Sequence, residues 1–467
     1  MSTFVLGVDS STQSCKALLV NAETGEVVDS RRASHPEGTE VDPREWARAL
    51  HEATEDLLPR ADAVSIAAQQ HGMVLLDSAG EVVRPALLWN DTRSAGAATR
   101  LTERLGGPEA AARRLGSVPV ASYTATKLEW VRDHEPENAA KASAVVLPHD
   151  YLTSVLHENG ELWTDHGDAS GTAYYSTAER RWLPDIAEQA IGHPVSLPQL
   201  AEPGQSVGRT RGGAVLGAGT GDNMGAALGL NLEPGDAVLS MGTSAVAMMV
   251  SETSTHDASG LVSGFCDATG RYLPLACTLN GAPVFDLGCR LLGVDHDEFS
   301  RLALSADPDP EGAIFLPYLN GERTPNLPEA RAQFGRLRGD LSRPQMARAM
   351  VEGLACSVVE AMGYVTDQVG RQPRRVLLIG GGAKSEAFRR VLAGILRRPV
   401  EVPAAEEFVA LGAARQAAWA LDGGSEPPTW DSAVATTQTV EPEETTEVFQ
   451  AYLDFRNATY PELAPKG

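Results

Sequence analysis

The sequence predicts an α/β protein built as two similar domains, and three observations lead there. Strand-like and helix-like segments alternate along the whole chain, the pattern of sheets covered by helices. At 467 residues the chain is too long for one ordinary hydrophobic core. Two stretches, LGVDSST at residues 6–12 and LSMGTSA at residues 239–245, each run from an apolar strand into a small hydroxyl-rich turn and back into apolar strand. They suggest a duplication in which Asp9 falls opposite Gly242. Glu233-Pro234-Gly235 punctuates the chain before the second stretch. It divides an N-terminal domain, residues 1–235, from a C-terminal domain, residues 236–467.

The elements follow in order. FVLGV is a short apolar strand, SSTQSC a polar turn, and KALLVNAETGEVVDSRR two strands joined at Glu23-Thr24-Gly25. Asp42 is placed to cap a helix, with Pro43 at its first position and Glu45 three after the cap. Trp46, Leu50, Ala53 and Leu57 mark that helix's apolar face. AVSIAAQQHGM is a strand running into a loop, and VLLDSAGEVV a hairpin. Ser342 with Gln345 forms a capping box for a long helix that should stop near Gly370. Met346, Met350, Leu354, Val358 and Met362 recur along it every four residues, which reads as buried packing rather than a ligand surface. RRVLLIGGGAKSEAFRRVLAGIL is strand, glycine loop and helix. Residues 422–446, rich in Gly, Pro, Ser, Thr and Glu, read as surface loop, and VFQAYLDFRNATY as a closing amphipathic helix.

Composition excludes several functions. The net charge of −23 lacks the basic footprint of a nucleic-acid binder. No apolar run reaches the length of a membrane span, and MSTFVLGVDSS lacks the basic start of a signal peptide, so no membrane partner is expected. The five cysteines are odd in number and form no CxxC, which fits a reducing cytoplasm.

Three stretches suit a nucleotide. In Asp9-Ser10-Ser11-Thr12, a tight turn offers N–H and hydroxyl donors to phosphate oxygens. Its acid would repel phosphate unless Mg²⁺ lay between them; the same residues also make an ordinary β-turn. Gly242-Thr243-Ser244 repeats the turn without the acid. Gly380-Gly381-Gly382-Ala383-Lys384-Ser385 lets a ligand approach the backbone and ends on Ser385 as a helix cap. It is neither a P-loop nor a Rossmann fingerprint, and a purely structural strand-to-helix turn accounts for it equally. Gln69-Gln70-His71-Gly72 and Trp89-Asn90-Asp91-Thr92-Arg93 cluster the donors and acceptors that a polyhydroxylated molecule needs. His71 alone reads as structural, Asp165 and Asp168 as turn caps, and His71 with His166 has no metal-ligand spacing. GAGTGDNMGAALG, residues 217–229, poses its own question: Asp222 is either turn chemistry or a catalytic base.

In order, GVDSSTQSCKALL, QQHGM, ALLWNDTR, LPHDYL, DASGT, GTGDNMGAALG, LSMGTSA, FLPYLNGERTP, LIGGGAKSE and ALGAA resemble the FGGY carbohydrate kinases, from residue 6 to about residue 415. Each motif is short; their order and spacing together are specific. The resemblance implies two actin-like (ribonuclease-H-like) domains flanking a catalytic cleft, with nucleotide mainly on the C-terminal domain and sugar mainly on the N-terminal one. It implies ATP-dependent phosphorylation of a small sugar, D-xylulose at its 5-hydroxyl, with ribulose, another ketose, a sugar alcohol or glycerol as rivals; a non-catalytic actin-like ATPase or a sugar sensor is the alternative outside that class, which the joint presence of QQHG, WND-R and GDN and of both Asp9 and Asp222 disfavours. It assigns Asp222 as catalytic base, Gln70, His71 and Asn223 to the sugar, and Asp9 to Mg²⁺. Ser11, Thr12, Gly242 and Thr243 fall to phosphate, and Gly381, Gly382 and Ser385 to the adenosine side. It admits a homodimer without transferable contacts. One departure stands out: members often carry a tryptophan where this chain reads LNGAPVFDLGCR, with Phe285 and Leu287. The resemblance thus implies a different wall there. In this reading the glycines around Asp222 let sugar and γ-phosphate approach the backbone.

Overall fold

The computed structural model describes residues 2–404, 407–430, 435–443 and 447–463. Its contacts divide into two units. The first comprises Met1–Glu233, Ser251–Leu273 and Glu407–Ala435; the second comprises Pro234–Val250, Pro274–Glu406 and Thr436–Gly467. The units are therefore not the contiguous halves 1–235 and 236–467. Two later segments return to the first unit because their apolar faces pack there.

In the first unit, β1 (Phe4–Ser10), β2 (Ser14–Asn21), β3 (Val27–Ser34), β4 (Ala63–Ala68), β5 (Ser206–Arg209) and β6 (Val215–Gly217) form a sheet in the order β5-β6-β4-β1-β2-β3. β1 pairs antiparallel with β2 and parallel with β4. The strands of FVLGV and AVSIAA are buried on both faces, which is why they read as continuous apolar runs rather than alternating ones. Leu6, Val8, Leu19, Val64 and Ile66 face one side, where Trp46, Leu50, Ala53 and Leu57 cover them from α1 (Pro43–Thr54) and its C-terminal end. Asp42 caps α1 as expected, its carboxylate accepting from the Arg44 N–H at 3.0 Å. Val5, Leu18, Val20, Ala63 and Val215 face the other side and meet Ala410, Leu411, Ala414 and Ala417 of the helix Phe408–Asp422. Three further helices of this unit carry polar residues considered below: α2 (Pro148–Leu156), α3 (His166–Ala169) and α4 (Asp222–Gly229).

The helix 408–422 touches α4 backbone to backbone. A Cβ added at Gly412 would lie 1.8 Å from the Gly225 carbonyl oxygen, and one at Gly229 would lie 2.0 Å from that of Phe408. Gly7 of β1 stands 2.0 Å from the Ala410 carbonyl by the same measure. No side chain fits these crossings.

The second unit repeats the plan. β7 (Asp236–Met241), β8 (Ala245–Met249), β9 (Tyr272–Thr278), β10 (Arg375–Ile379), β11 (Val400–Pro403) and β12 (Thr436–Val440) follow the order β9-β8-β7-β10-β11-β12. β7 pairs antiparallel with β8 and parallel with β10, as β1 does with β2 and β4. The two hydroxyl-rich turns thus occupy the same place in two copies of one topology. α5 (Arg343–Val369) begins at Ser342, whose hydroxyl accepts from Gln345, and ends at Gly370 in the left-handed region. Met350, Leu354, Val358 and Met362 are buried in this unit. α5 is long and apolar enough to cross a membrane, yet 83% of its apolar window is packed inside the protein. α6 (Glu386–Leu396) starts at Ser385 as expected.

The loop expected over 422–446 needs correction. Thr436–Val440 is a strand paired antiparallel with β11, Val400 opposite Val440. Its threonines are polar by composition but β-branched, which suits an edge strand. Residues 431–434 and 444–446 of that segment lie outside the described residues.

Two alanine substitutions separate crowded from open glycines. Gly412→Ala should destabilise by about 1–3 kcal/mol or more through overpacking. Gly363, inside α5 with nothing within 4 Å of an added Cβ, should gain up to about 1 kcal/mol as alanine. Thermal melts of both variants check this, and a neutral Gly412→Ala would contradict the crossing.

Candidate functional site

Asp222 is the first residue of α4, and Gly221 before it is extended. Its Oδ1 accepts from the Asn223 backbone N–H at 2.8 Å and lies 3.1 Å from Asn223 Nδ2. Burial pushes its carboxyl up to about 7, and the charges of Asp9 and Asp168 add to that. Asp9, near the end of β1, is buried and accepts from the Ser11 hydroxyl. Burial pushes it up to about 6, against the pull of Ser11 and of Lys16, whose ammonium is 2.6 Å from Glu407. The first unit therefore brings together two acids that are reluctant to ionise. That is a place for a cation. Among the described residues no three His, Cys, Asp or Glu side chains form a metal cage. Mg²⁺ needs none, since it binds through one or two carboxylates and keeps waters and phosphate oxygens. Asp9 fits that role.

Gln70 and His71 follow β4. Gln70 Oε1 accepts from Asn223 Nδ2 at 3.0 Å, so Gln70, Asn223 and Asp222 form one chain of contacts. His71 is left-handed, φ 67°, with Nδ1 2.7 Å from the Gly171 carbonyl and its ring against Tyr123 and Phe265. WNDTR divides its work. Trp89 Nε1 donates to Thr12 Oγ1 at 3.1 Å, tying this loop to the hydroxyl-rich turn. Asp91 accepts from Thr39 and from Arg93, and Arg93 also pairs with Glu40 and lies over Trp130. Those contacts are structural.

The glycines beside Asp222 do something other than expected. A Cβ at Gly219 would lie 2.4 Å from His149 Cδ2, and one at Gly221 would lie 2.7 Å from Gln70 Cγ. Gly225 and Gly229 make room for the helix 408–422. At these positions the space a side chain would take is filled by protein side chains and backbone.

In the second unit the two expected nucleotide turns meet. Gly380, φ 86°, sits where a Cβ would lie 2.6 Å from the Met241 carbonyl, and Gly382 where one would lie 2.7 Å from Met241 Cβ. Met241 leads directly into Gly242 and Thr243, both exposed. Around Gly381 there is open space. Ser385 accepts from the Phe388 N–H at 3.3 Å, so its hydroxyl serves as a cap.

Several buried polar residues escaped sequence reasoning. His149 is fully buried with Nδ1 2.6 Å from Asp168 Oδ2 and Nε2 3.0 Å from Asp150 Oδ1. In LPHDYL these residues look like any helix start. Asp165 caps α3 as expected, accepting from the Asp168 N–H, but Asp168 itself turns to His149. Lys127 is buried with its ammonium against the carbonyls of Ser122, Ala121 and His71, and burial pushes it down to about 7. A lysine in a helical run gave no signal of that.

Comparison with known proteins points to one family. The FGGY family of carbohydrate kinases matches over both its domains, the N-terminal one at residues 4–229 and the C-terminal one at 237–421. A xylulose kinase from Streptomyces coelicolor is 45% identical over 434 residues, 90% of this chain and 88% of that protein. One from Escherichia coli is 35% identical, covering 88% and 89%. The crystal structure of xylulose kinase from Bifidobacterium adolescentis superposes with TM-score 0.90 at 42% identity, over 97% of this chain and 99% of that one.

The raised pKa of Asp222 has a stability consequence. Its folded value, about 7, lies above an unfolded value near 3.9. The folded protein therefore holds the proton more tightly, and this contribution to stability, complete below about pH 4, is lost as pH rises through 7. Asp222→Asn removes the dependence. Its Tm should exceed that of the wild type at pH 8, by about 2–4 °C for each kcal/mol relieved, and the margin should shrink as pH falls toward 4. A pH-independent margin in paired melts would contradict the assignment.

Proposed function

Because the chain belongs to the FGGY family of carbohydrate kinases, we propose that it transfers the γ-phosphoryl group of ATP to the 5-hydroxyl of D-xylulose, giving D-xylulose 5-phosphate and ADP. The sugar is argued from relatives named xylulose kinases in several bacterial genera. The observation that carries the chemistry is Asp222, poised at about 7 and joined through Asn223 to Gln70.

In this reading Asp222 accepts the hydroxyl proton as the sugar oxygen attacks the γ-phosphorus and ADP leaves. A general base serves best when its pKa lies near the working pH. Gln70, His71 and Asn223 hold the sugar's other oxygens. Ser11, Thr12, Gly242 and Thr243 offer donors to the phosphates. Gly381, Gly382 and the helix start at Ser385 receive the adenosine side, Gly381 being the one with open space. Asp9 would hold Mg²⁺ through water, and the ion when bound would neutralise charge on the β- and γ-phosphate oxygens. The five free cysteines fit a reducing cytoplasm, where we place the enzyme.

Asp222→Asn should lower kcat by about 10²–10⁴-fold while nucleotide affinity stays close to wild type. Near-full turnover would overturn the base assignment. For the wild type, kcat/KM should rise with pH through a limb near 7, since only the ionised carboxylate accepts a proton. An ADP-release assay across D-xylulose, D-ribulose, L-ribulose, L-xylulose, xylitol and glycerol tests the sugar. A higher kcat/KM for another acceptor would replace D-xylulose while leaving the kinase reading intact.

A further inference from the structure

We infer that Glu322 is a positioning residue for the turn 242–244: its side chain fixes residues 279–282, and that segment grips the turn at both ends. The inference rests on the reading of Gly242 and Thr243 as a phosphate-binding turn.

Glu322, in FLPYLNGERTP, is 1% exposed, and its partners in the second unit are all N–H donors. Oε1 accepts from two backbone N–H groups, that of Leu279 at 2.6 Å and that of Arg323 at 2.7 Å. Oε2 accepts from Asn280 Nδ2 at 2.9 Å. Backbone groups decide which way round that amide sits. Asn280 Oδ1 accepts from the Leu319 N–H, and Nδ2 also donates to the Gly321 carbonyl, both at 2.9 Å. An N–H only donates and a carbonyl only accepts, so neither end of the amide can be exchanged. Both oxygens of Glu322 therefore face fixed donors. A glutamine would turn its NH₂ either on Asn280 Nδ2 or on the two backbone N–H groups. Burial pushes the Glu322 carboxyl up, and these bonds pull it back toward the ionised form.

The segment that Glu322 holds joins β9 to the helix Pro283–Leu292. The Ala282 N–H donates to the Gly242 carbonyl at 2.8 Å. At the other end of the turn, the Thr278 hydroxyl accepts from the Ala245 N–H at 3.2 Å and donates to the Asn280 carbonyl at 3.0 Å. Gly281 lies between these two bonds. A Cβ added there would stand 2.5 Å from the Gly242 carbonyl oxygen and 2.9 Å from that of Ser244. Such close packing leaves no slack, so a shift of 279–281 displaces the turn. Gly242 and Thr243 are exposed, whereas Thr278, Asn280 and Glu322 are buried. A turn held this way needs no ordering when phosphate arrives, and that raises affinity.

Glu322→Gln should weaken ATP binding about tenfold, with the KM for ATP rising in step and the KM for D-xylulose unchanged. Adenosine has no phosphates and belongs to the Gly381 side, so its affinity should stay within about twofold of the wild type. Equilibrium titrations of both ligands read this. An equal or larger loss for adenosine, or no loss for ATP, would overturn the inference. Should Glu322→Gln fail to fold, Glu322→Asp carries the test. It keeps the charge but is a methylene too short to reach both Leu279 and Asn280, so ATP should bind about threefold more weakly, and wild-type affinity would overturn the inference. A readout without nucleotide separates this from the kinase reading. In nucleotide-free protein the Ala282 amide should exchange slowly with solvent and lose about tenfold of that protection in either variant, by hydrogen–deuterium exchange. Unchanged protection refutes the positioning role whatever the ATP titrations return. Lost protection, in a protein whose wild-type form binds no ATP, refutes the kinase reading alone.

Discussion

Four glycines set the positions of both acids. At Gly225, Gly229 and Gly412 the helix 408–422 and α4 approach until backbone meets backbone, and at Gly7 the same helix touches β1. Asp222 starts α4 and Asp9 follows Gly7 by two residues. Both carboxylates are therefore measured from one helix. Close-packed backbone leaves little slack, so the relative placement of the two acids is set by packing rather than by any bond between them.

That placement is electrostatically unfavourable. Asp9, Asp150, Asp165, Asp168 and Asp222 are all pushed upward by burial; at Asp222 the charges of Asp9 and Asp168 add to the shift, whereas Lys16 opposes it at Asp9 and His149 opposes it at Asp150 and Asp165. Asp91 and Glu129, by contrast, are held down by arginines despite burial. The chain is able to neutralise a buried acid and does so away from the site. Around Asp222 it leaves the charge uncompensated, which is the arrangement expected where a substrate or cation completes the balance.

What the sequence revealed was local. The caps at Asp42, Ser342 and Ser385 act across three residues and could be read directly. So could the doubled strand–turn–strand plan. What it hid was long-range. The glycines of 217–229 stand against His149, Gln70 and a helix almost two hundred residues further on. His149 and Asp168 lie 19 residues apart, with no spacing rule to join them. The threonine strand β12 looked like a loop because pairing with β11, rather than its own polarity, makes it a strand.

The late return of 408–422 to the first unit also governs the order of events during synthesis. β1, β2 and β4 emerge from the ribosome early, with one sheet face ready to meet α1 and the other lacking Ala410, Ala414 and Ala417. That second face stays uncovered until the helix Phe408–Asp422 has been made. The first unit therefore cannot complete its core vectorially, and the nascent chain carries an apolar sheet surface while the intervening second unit is made. The same helix that fixes Asp9 and Asp222 arrives late in that core, ahead of Trp430.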